Sequence, residues 1–461
     1  MTDPDLIIVG SGPAGMAAAS VAARSGARVL ILDEQPRPGG QIYRNIGENR
    51  DRLGWLGKGY AAGTELVDDL DHPNIHCEFG ATVWRSDPGP TVCWSQNGHS
   101  QVTSAPYLLL ATGAQERPVP FPGWTLPGVM PAGAAQILMK TSTLLPRDAI
   151  LAGSGPLLYL VAAQMIDAGT PPKALVETQT RSMAIRSARH LPRAAFALPL
   201  LLKGLGLLHK IRKHRIPRFT GATAFRAETG NGGTIQFSFD ASGKAHHHEC
   251  GLLLTHQGVV PSTHMTRAAG IAHEWKATQE CFHPTSDLWG RTDQPGLHVA
   301  GDGAGIAGAE VAAIAGRLAA RDILHQLRLI SAGTRDQTSA SDRGALWRAL
   351  AIRPFLDTAY APTEAFQSLT DETIVCRCEE ITAGELRAAV AEGATGPRHI
   401  KTATRAGMGP CQGRMCDLTV RGILSANKTT EPPAQPRARN PIKPIPLGEL
   451  AALASEPETK P

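Results

Sequence analysis

The sequence predicts an α/β protein. It has two Rossmann-like dinucleotide-binding domains, the second inserted in the first, and a small α-helical C-terminal domain. Three observations carry this. The apolar run Leu6-Ile7-Ile8-Val9, the turn Gly10-Ser11-Gly12-Pro13-Ala14-Gly15, an alanine-rich run over 16–24 and a second apolar run ending at Asp33 read as strand, glycine turn, helix, strand and acid. The plan recurs from Ile150 through Gly153-Ser154-Gly155-Pro156-Leu157-Leu158 to Glu177, so the chain holds an internal duplication. Four of the eight cysteines crowd into residues 376–416.

Each part of the opening unit has a chemical reason. Gly10 permits the tight turn, Gly12 lets backbone N–H groups approach a pyrophosphate, and Gly15 lets helix and strand pack closely. Pro13 and Ala14 complete the turn, where the helix N-terminus supplies partial positive charge for phosphates. Asp33 stands where a carboxylate can accept hydrogen bonds from a ribose diol. Glu34, Gly40 and Gln41 follow the same strand end, where α/β ligands sit, and read either as further nucleotide contacts or as an ordinary loop.

At 461 residues the chain is too long for one ordinary core, and two or three domains are expected. A net charge of +5 gives no case for nucleic acid. Residues 1–5 lead straight into the first strand, so no signal peptide is expected. No uninterrupted apolar run reaches the roughly 20 residues of a membrane span, so no transmembrane segment is expected. The clustered cysteines suit a metal or cluster in a reducing compartment, hence a cytoplasmic protein.

Along the chain, Asn97-Gly98 predicts a tight hairpin, and residues 107–110 form an apolar strand running into Ala111-Thr112-Gly113. In the second copy Leu158 stands where the first has Gly15, which should push helix from strand and weaken phosphate binding. Glu177 would suit an NAD ribose and Arg181 a 2′-phosphate, so NAD(P) there is open but disfavoured by Leu158. The basic stretch 181–218 has two readings. One is an amphipathic helix for a membrane surface or partner. The other, favoured because Pro192, Pro199 and Gly204 interrupt it, is an inserted helical pair packed on the domain. His246, His247 and His248 alternate in direction on a strand and cannot all bind one metal. Residues 297–300 then form a strand that runs into Gly301-Asp302, followed by a small-residue helix over 307–320.

Gly10–Gly15, Asp33, Ala111-Thr112-Gly113 and Gly301-Asp302 together resemble the fingerprints of flavoproteins with two dinucleotide-binding domains, over about residues 1–325. The resemblance implies FAD in the first copy, with Asp33 on the adenosine ribose and Asp302 on the ribityl chain. It also implies an FAD-binding domain at 1–120 and 270–330 with an NAD(P)-binding-like insert at 121–269. Composition adds a polar linker at 331–370 and a proline-rich tail at 427–461, and the cysteines mark a [2Fe–2S]-binding domain at 371–426. The disulfide-reductase branch is excluded, because no cysteine pair of C-x-x-C or C-x-x-x-x-C spacing occurs before residue 376. Cys77, Cys93, Cys250 and Cys281 are isolated and read as small core residues.

Cys376-Arg377-Cys378 and Cys411-Gln412-Gly413-Arg414-Met415-Cys416 place four thiolates on two loops, each ahead of a helix. Thr382-Ala383-Gly384-Glu385 is a capping box that starts the first. Such loops suit an anionic [2Fe–2S] cluster, and zinc is the alternative. The segment is similar to bacterioferritin-associated ferredoxins, except that it closes with C-x-x-x-x-C rather than C-x-x-C. With Gly39-Gly40-Gln41 and Pro441-Ile442-Lys443-Pro444, the whole chain resembles the group of opine oxidase A, hydrogen cyanide synthase B and hydroxyproline dehydrogenase α subunits.

That resemblance implies an electron-relaying FAD and [2Fe–2S] oxidoreductase subunit. Its partners would be a second, substrate-oxidising flavoprotein and a small ferredoxin-like subunit. No residue stands out as a substrate acid or base. The other readings are a stand-alone NAD(P)H reductase and a redox-sensing scaffold. The tail reads either as a docking arm for another subunit or as a disordered end.

Overall fold

Leu6–Val9 is four buried aliphatic residues in succession, the pattern of a strand covered on both faces. It lies at the centre of a five-stranded parallel sheet in the order Leu297–Val299, Tyr107–Leu110, Leu6–Val9, Val29–Asp33, Ile75–Phe79. The structure, a computed structural model, describes residues 3–50, 54–87, 89–362, 369–426 and 435–453.

Between Tyr107–Leu110 and Leu297–Val299 the chain builds a second parallel sheet. Its order is Arg218–Thr220, Ala174–Glu177, Ala149–Ser154, Leu252–Gln257, Val129–Pro131. Each sheet is accompanied by a three-stranded antiparallel meander, Thr82–Asp87 to His99–Ser104 in one and Thr223–Thr229 to Lys244–Cys250 in the other. The Asn97-Gly98 turn closes the first, with both residues at positive φ, as a two-residue hairpin turn requires. On Lys244–Cys250, His246 and His248 share one side and stack on Phe239.

Two helices cover one face of the first sheet, Pro13–Arg24 and Ala309–Gln326. Their seam is made of small residues, with Ala14, Ala18 and Ala22 against Ala312, Ala319 and Ala320 in one buried cluster. The approach is as close as backbone allows. A Cβ on Gly316 would stand 2.0 Å from the Ala14 carbonyl oxygen, and one on Gly15 would stand 1.9 Å from that of Gly10. Further along Ala309–Gln326, Asp322 is fully buried and gathers Arg291 (2.6 Å), His298 (3.2 Å), Gln326 (2.6 Å) and Arg335 (3.1 Å). Burial alone would raise its pKa, but the hydrogen bonds from His298, Arg291 and Gln326 outweigh that and hold the carboxyl well below its usual range.

The stretch 331–370, read from the sequence as a linker, carries helices where it is described, Ala332–Leu350 and Arg353–Ala359. Ser331 caps the first by accepting from the Thr334 N–H at 3.1 Å, and Asp342 binds Arg317 and Arg321 of the preceding helix. The polar composition suggests open chain, but these residues are the solvated face of a helix held by ion pairs.

Residues 181–213 form the helices Arg181–Ala188, Leu191–Ala194 and Leu198–Lys213. Pro192 and Pro199 sit in first helical turns, where a missing N–H costs nothing, so they do not break the run. The expectation that no stretch is long and apolar enough to span a membrane therefore needs correction. Leu191–Lys213 is 23 helical residues, and an 18-residue window within it reaches a mean hydropathy of 1.5. One side is nevertheless committed to the protein body, through Ala194, Ala197 and Ile211.

At the C-terminal end, Ala383–Ala391, Pro397–Thr404 and Asp417–Ala426 enclose a small core of Val375, Leu386, Ile400 and Leu424. The capping box is present, with Thr382 accepting from Glu385 N–H at 3.3 Å and Glu385 accepting from Thr382 N–H at 2.8 Å.

Replacing Gly316 by Ala is expected to destabilise the protein by about 1–3 kcal/mol, because the seam has no room for a methyl group. Gly344→Ala, on an open face of Ala332–Leu350, is expected to be neutral or to stabilise by up to about 1 kcal/mol. Urea unfolding of the two variants against the parent measures the difference.

Candidate functional site

The first glycine turn, the 39–41 loop, the 111–113 segment and the 301–308 turn converge at the carboxyl ends of the first sheet. Gly10 has φ +106°, and a Cβ there would stand 2.4 Å from the Ala111 carbonyl oxygen. A Cβ on Gly40 would stand 2.8 Å from Gly12 Cα, so the 39–41 loop lies directly over the glycine turn. Gly12 is the N-cap of Pro13–Arg24, with Pro13 in the first turn and Ala14 buried behind it. Gly301, at φ +75°, faces Ala14, and Gly303 lies against Gly113. Both helix N-termini therefore aim into one cradle from which side chains are excluded.

The carboxylates of this cradle are partly engaged. Asp33 is buried and accepts from Ser11 N–H (2.6 Å), Ser11 Oγ (2.7 Å) and Gln35 N–H (2.8 Å). A carboxylate has about four acceptor positions, so one remains for a ribose hydroxyl. Asp302 Oδ1 accepts from Ala307 and Gly308 N–H groups at 2.9 and 3.0 Å, and Oδ2 takes no hydrogen bond among the described residues. Gln41 turns its side-chain oxygen to buried Arg44 at 3.0 Å. Thr112 donates to Ser262 O at 3.1 Å, and Ser262 N–H donates back to Gly113 O at 2.9 Å.

The second glycine turn is built differently. Leu158 is fully buried in the core, where Gly15 has its counterpart, and His256 packs under Gly155. Glu177 is 1% exposed and is bound by Arg218 through two hydrogen bonds of 2.8 and 3.0 Å and by the Tyr159 hydroxyl. The acid that would hold a second ribose is consumed inside the protein, and a partnered carboxylate surrendered to a ligand would leave Arg218 unpaired.

The four clustered cysteines stand as two pairs. Cys376 and Cys416 are within hydrogen-bonding reach of each other, as are Cys378 and Cys411. No three His, Cys, Asp or Glu side chains among the described residues converge on a single metal position. A tetrahedral zinc needs four donors at one point. Two irons, each taking two thiolates, need two pairs, so this donor set fits a [2Fe–2S] cluster. The Cys416 thiol, then the Gly407, Glu379 and Cys378 N–H groups, pull Cys376 down to about 5 against the opposing effect of burial. Its partner Cys416 is pushed up as the donor of that bond. Gly409 lets the loops meet, since a Cβ there would stand 2.4 Å from Cys378 Cβ.

Residues 4–318 match the pyridine nucleotide-disulphide oxidoreductase family, and residues 374–426 the BFD-like [2Fe-2S] binding domain. The chain belongs to the pyridine nucleotide-disulphide oxidoreductase family. As a member of that family it is an FAD-dependent oxidoreductase, and it carries a [2Fe–2S] cluster besides. It is 43% identical to the A subunit of opine oxidase from Agrobacterium tumefaciens, over 97% of this chain and 92% of that one. It is 32% identical to the HcnB subunit of hydrogen cyanide synthase from Pseudomonas aeruginosa, over 98% of this chain and 99% of that one. L-proline dehydrogenase from P. horikoshii shares the fold, with a TM-score of 0.70 across 97% of this chain and 79% of that chain at 18% identity.

The disulfide chemistry in the family's name has no residues here. Cys93, Cys250 and Cys281 are buried and Cys77 half-buried, and desolvation raises all four thiols, three of them to about 11.

Sequence reasoning missed how the cluster module seats on the flavoprotein fold. Gln115, two residues past Gly113, donates to Arg414 O at 2.8 Å. His264, two residues past Ser262, donates to Gln412 O at 2.9 Å. Arg267 pairs with Asp417 at 3.3 Å, and Arg421 lies 4.0 Å over the Trp275 ring. Also missed was the tail, read as a docking arm or a disordered end. Its described part folds back on its own chain. Ile442 is 3% exposed and donates its N–H to Trp84 O at 2.8 Å, and its carbonyl accepts from Arg414 at 3.0 Å. The neighbouring Lys443 pairs with Glu34 at the rim of the cradle. Only Pro441-Ile442-Lys443-Pro444, an apolar residue between prolines, hinted at this.

Ile442→Asp is expected to unseat the tail and raise the FAD dissociation constant about tenfold, read by flavin fluorescence on dilution. A pH test concerns Lys140, 3% exposed, which donates to Gln41 O and Gln136 between the two nucleotide folds. Burial, with Arg44 nearby, lowers its pKa from 10.5 to about 7. The unfolded chain therefore binds this proton more tightly, and stability rises with pH between about 7 and 10.5. Lys140→Met is expected to stabilise the protein near neutrality by about 1 kcal/mol or more, with the gain disappearing toward the upper limit, as measured by Tm against pH.

Proposed function

We propose that this chain is the electron-relaying subunit of a hetero-oligomeric enzyme that oxidises an amino or imino acid such as an opine or hydroxyproline. A second flavoprotein subunit would remove the electrons from substrate, and a small ferredoxin-like subunit would complete the assembly. In this reading 1–120 and 270–330 form the FAD-binding domain, 121–269 the inserted second nucleotide fold, and 371–426 the cluster domain of a cytoplasmic protein. Gly10, Gly12, Pro13, Ala14, Gly15, Gly40 and Gln41 line the phosphates of FAD. Asp33 and Glu34 border the adenosine ribose, Ala111, Thr112 and Gly113 flank the cofactor, and Gly301 and Asp302 meet the ribityl chain. Cys376, Cys378, Cys411 and Cys416 hold the cluster. The names of the relatives, both subunits of larger enzymes, support the assembly.

The observation that carries the relay is the seating of the cluster loop. Gln412 and Arg414 lie between Cys411 and Cys416, and both accept hydrogen bonds from residues adjoining the segments that close the cradle. When bound, FAD accepts electrons in pairs or singly and a [2Fe–2S] cluster takes one at a time, which suits splitting a pair. The residues of this chain would hold FAD at the glycine cradle and the cluster on a loop hydrogen-bonded to Gln115 and His264. The Asp302 carboxylate fixes the turn before Ala309–Gln326, and the N–H groups around Cys376 favour its thiolate. Burial and the charges of Arg267 and Arg414 keep His264 neutral at physiological pH, with a pKa of about 3. Its Nε2–H therefore stays in place for the cluster loop.

Co-expression with the substrate-oxidising flavoprotein tests this. Amine-dependent dye reduction is expected to require this chain and to fall at least about tenfold in Cys411→Ala with flavin content unchanged. Dye reduction that is the same with and without the chain would sink the reading. Stopped-flow mixing with NADH is expected to leave the flavin oxidised, since Glu177 and Leu158 deny the second fold a nucleotide site. Rapid bleaching at micromolar NADH would point instead to a stand-alone reductase.

A further inference from the structure

Residues 178–227 contain eleven lysines and arginines and not one aspartate or glutamate, in a chain with 41 acids. The same stretch holds seven of the 17 large apolar side chains exposed among the described residues. These two properties occupy one surface. On Leu198–Lys213, Ile211 is buried and Leu201, Leu207 and Leu208 pack inward. Leu198, Leu202 and Leu205, spaced as one stripe of a helix, point outward and are 53–61% exposed. Phe196 continues the stripe at 58%, and Trp347 of the adjoining helix, 55% exposed, packs edge-on against it at 5.0 Å. Arg186, Arg193, Lys203, Arg212, Lys213 and Arg215 have no ion pair among the described residues, whereas Lys210 and Arg218 are paired with Asp167 and Glu177.

The charge decides what this face fits. The core of an obligate protein interface is apolar and depleted of charge. An apolar stripe edged by unpaired cations, with a tryptophan at its margin, is the pattern of a helix lying in a headgroup layer. Crossing is disfavoured, because the inward side of the helix is already spent on the protein body. Laid flat, Leu198–Lys213 covers about 24 Å. We propose that residues 185–215 seat the protein on an anionic lipid bilayer. Phe196, Leu198, Leu202 and Leu205 enter the acyl boundary, and Arg193, Lys203, Arg212 and Lys213 meet the phosphates. This inference does not depend on the identity of the substrate.

Flotation of the full chain, loaded with FAD and cluster, tests it with vesicles of phosphatidylcholine containing about 30% phosphatidylglycerol and with vesicles of phosphatidylcholine alone. The protein is expected to float with the anionic vesicles. The bound fraction is expected to fall at least about fivefold on the neutral ones or at about 0.5 M salt. The triple variant Leu198→Ser, Leu202→Ser, Leu205→Ser and the double variant Arg212→Glu, Lys213→Glu should each lose about tenfold in binding while keeping flavin absorbance and Tm. If one variant loses its flavin, the other decides. No flotation by the parent, equal flotation with neutral vesicles, or unchanged flotation of a folded variant overturns the proposal. So does a folded triple variant that still floats but no longer co-elutes with the substrate-oxidising flavoprotein, which would make the face a protein interface.

Discussion

The structure depends on two helices that touch backbone to backbone. Where Gly316 meets the Ala14 carbonyl there is no space for a side chain, and alanines extend the contact along both helices. Because Pro13–Arg24 and Ala309–Gln326 are separated by the whole of the second fold, this seam closes the first fold on itself. It also sets the two helix N-termini at one cradle, each adding partial positive charge to the same small volume. The buried Asp322 secures the far end of the second helix to its own sheet through His298 and to the next helix through Arg335. A cradle lined by Gly10, Gly40 and Gly301 follows from that closeness, since any of these three as a larger residue would separate what the seam brings together.

The two copies of the nucleotide fold show how one plan diverges. In the first, Ser11 turns both its N–H and its hydroxyl to Asp33, so the acid is buried, oriented and still has an acceptor position. In the second, the Ser154 hydroxyl finds no partner among the described residues and Glu177 turns to Arg218 and Tyr159. The third glycine of the turn has become Leu158, which adds apolar volume to the core at the expense of backbone approach. The second copy also supplies Lys140 to the buried contact with the first fold and the helices of residues 181–213 to the outside of the molecule.

Between the flavoprotein fold and the cysteine module the contact is polar and specific. Gln115 and His264 reach the loop between Cys411 and Cys416, Arg267 reaches Asp417, and the tail crosses back from that loop to the cradle rim. Arg414 holds a central place, with its carbonyl bound by the first fold and its guanidinium bound to the tail. A change in the cluster loop would therefore be felt at Ile442 and Lys443, next to Glu34. Shared hydrogen bonds of this kind fix one orientation, because breaking any of them leaves a buried donor or acceptor without a partner.

The sequence by itself determined the local features. Glycine spacing specified both turns, Asn97-Gly98 the hairpin, Thr382 with Glu385 a helix start, and cysteine spacing a cluster module, because each depends on residues a few positions apart. It also carried the duplication and the suspicion attached to Leu158. Only the tertiary structure decided that Glu177 is consumed by Arg218, that polar residues 331–350 form a packed helix, and that Ile442 returns to the first fold. It likewise decided which side of Leu198–Lys213 is left bare. These features rest on partners tens to hundreds of residues away. Pairing at that range is set by how folded surfaces fit together, and a periodic pattern along the chain does not record it.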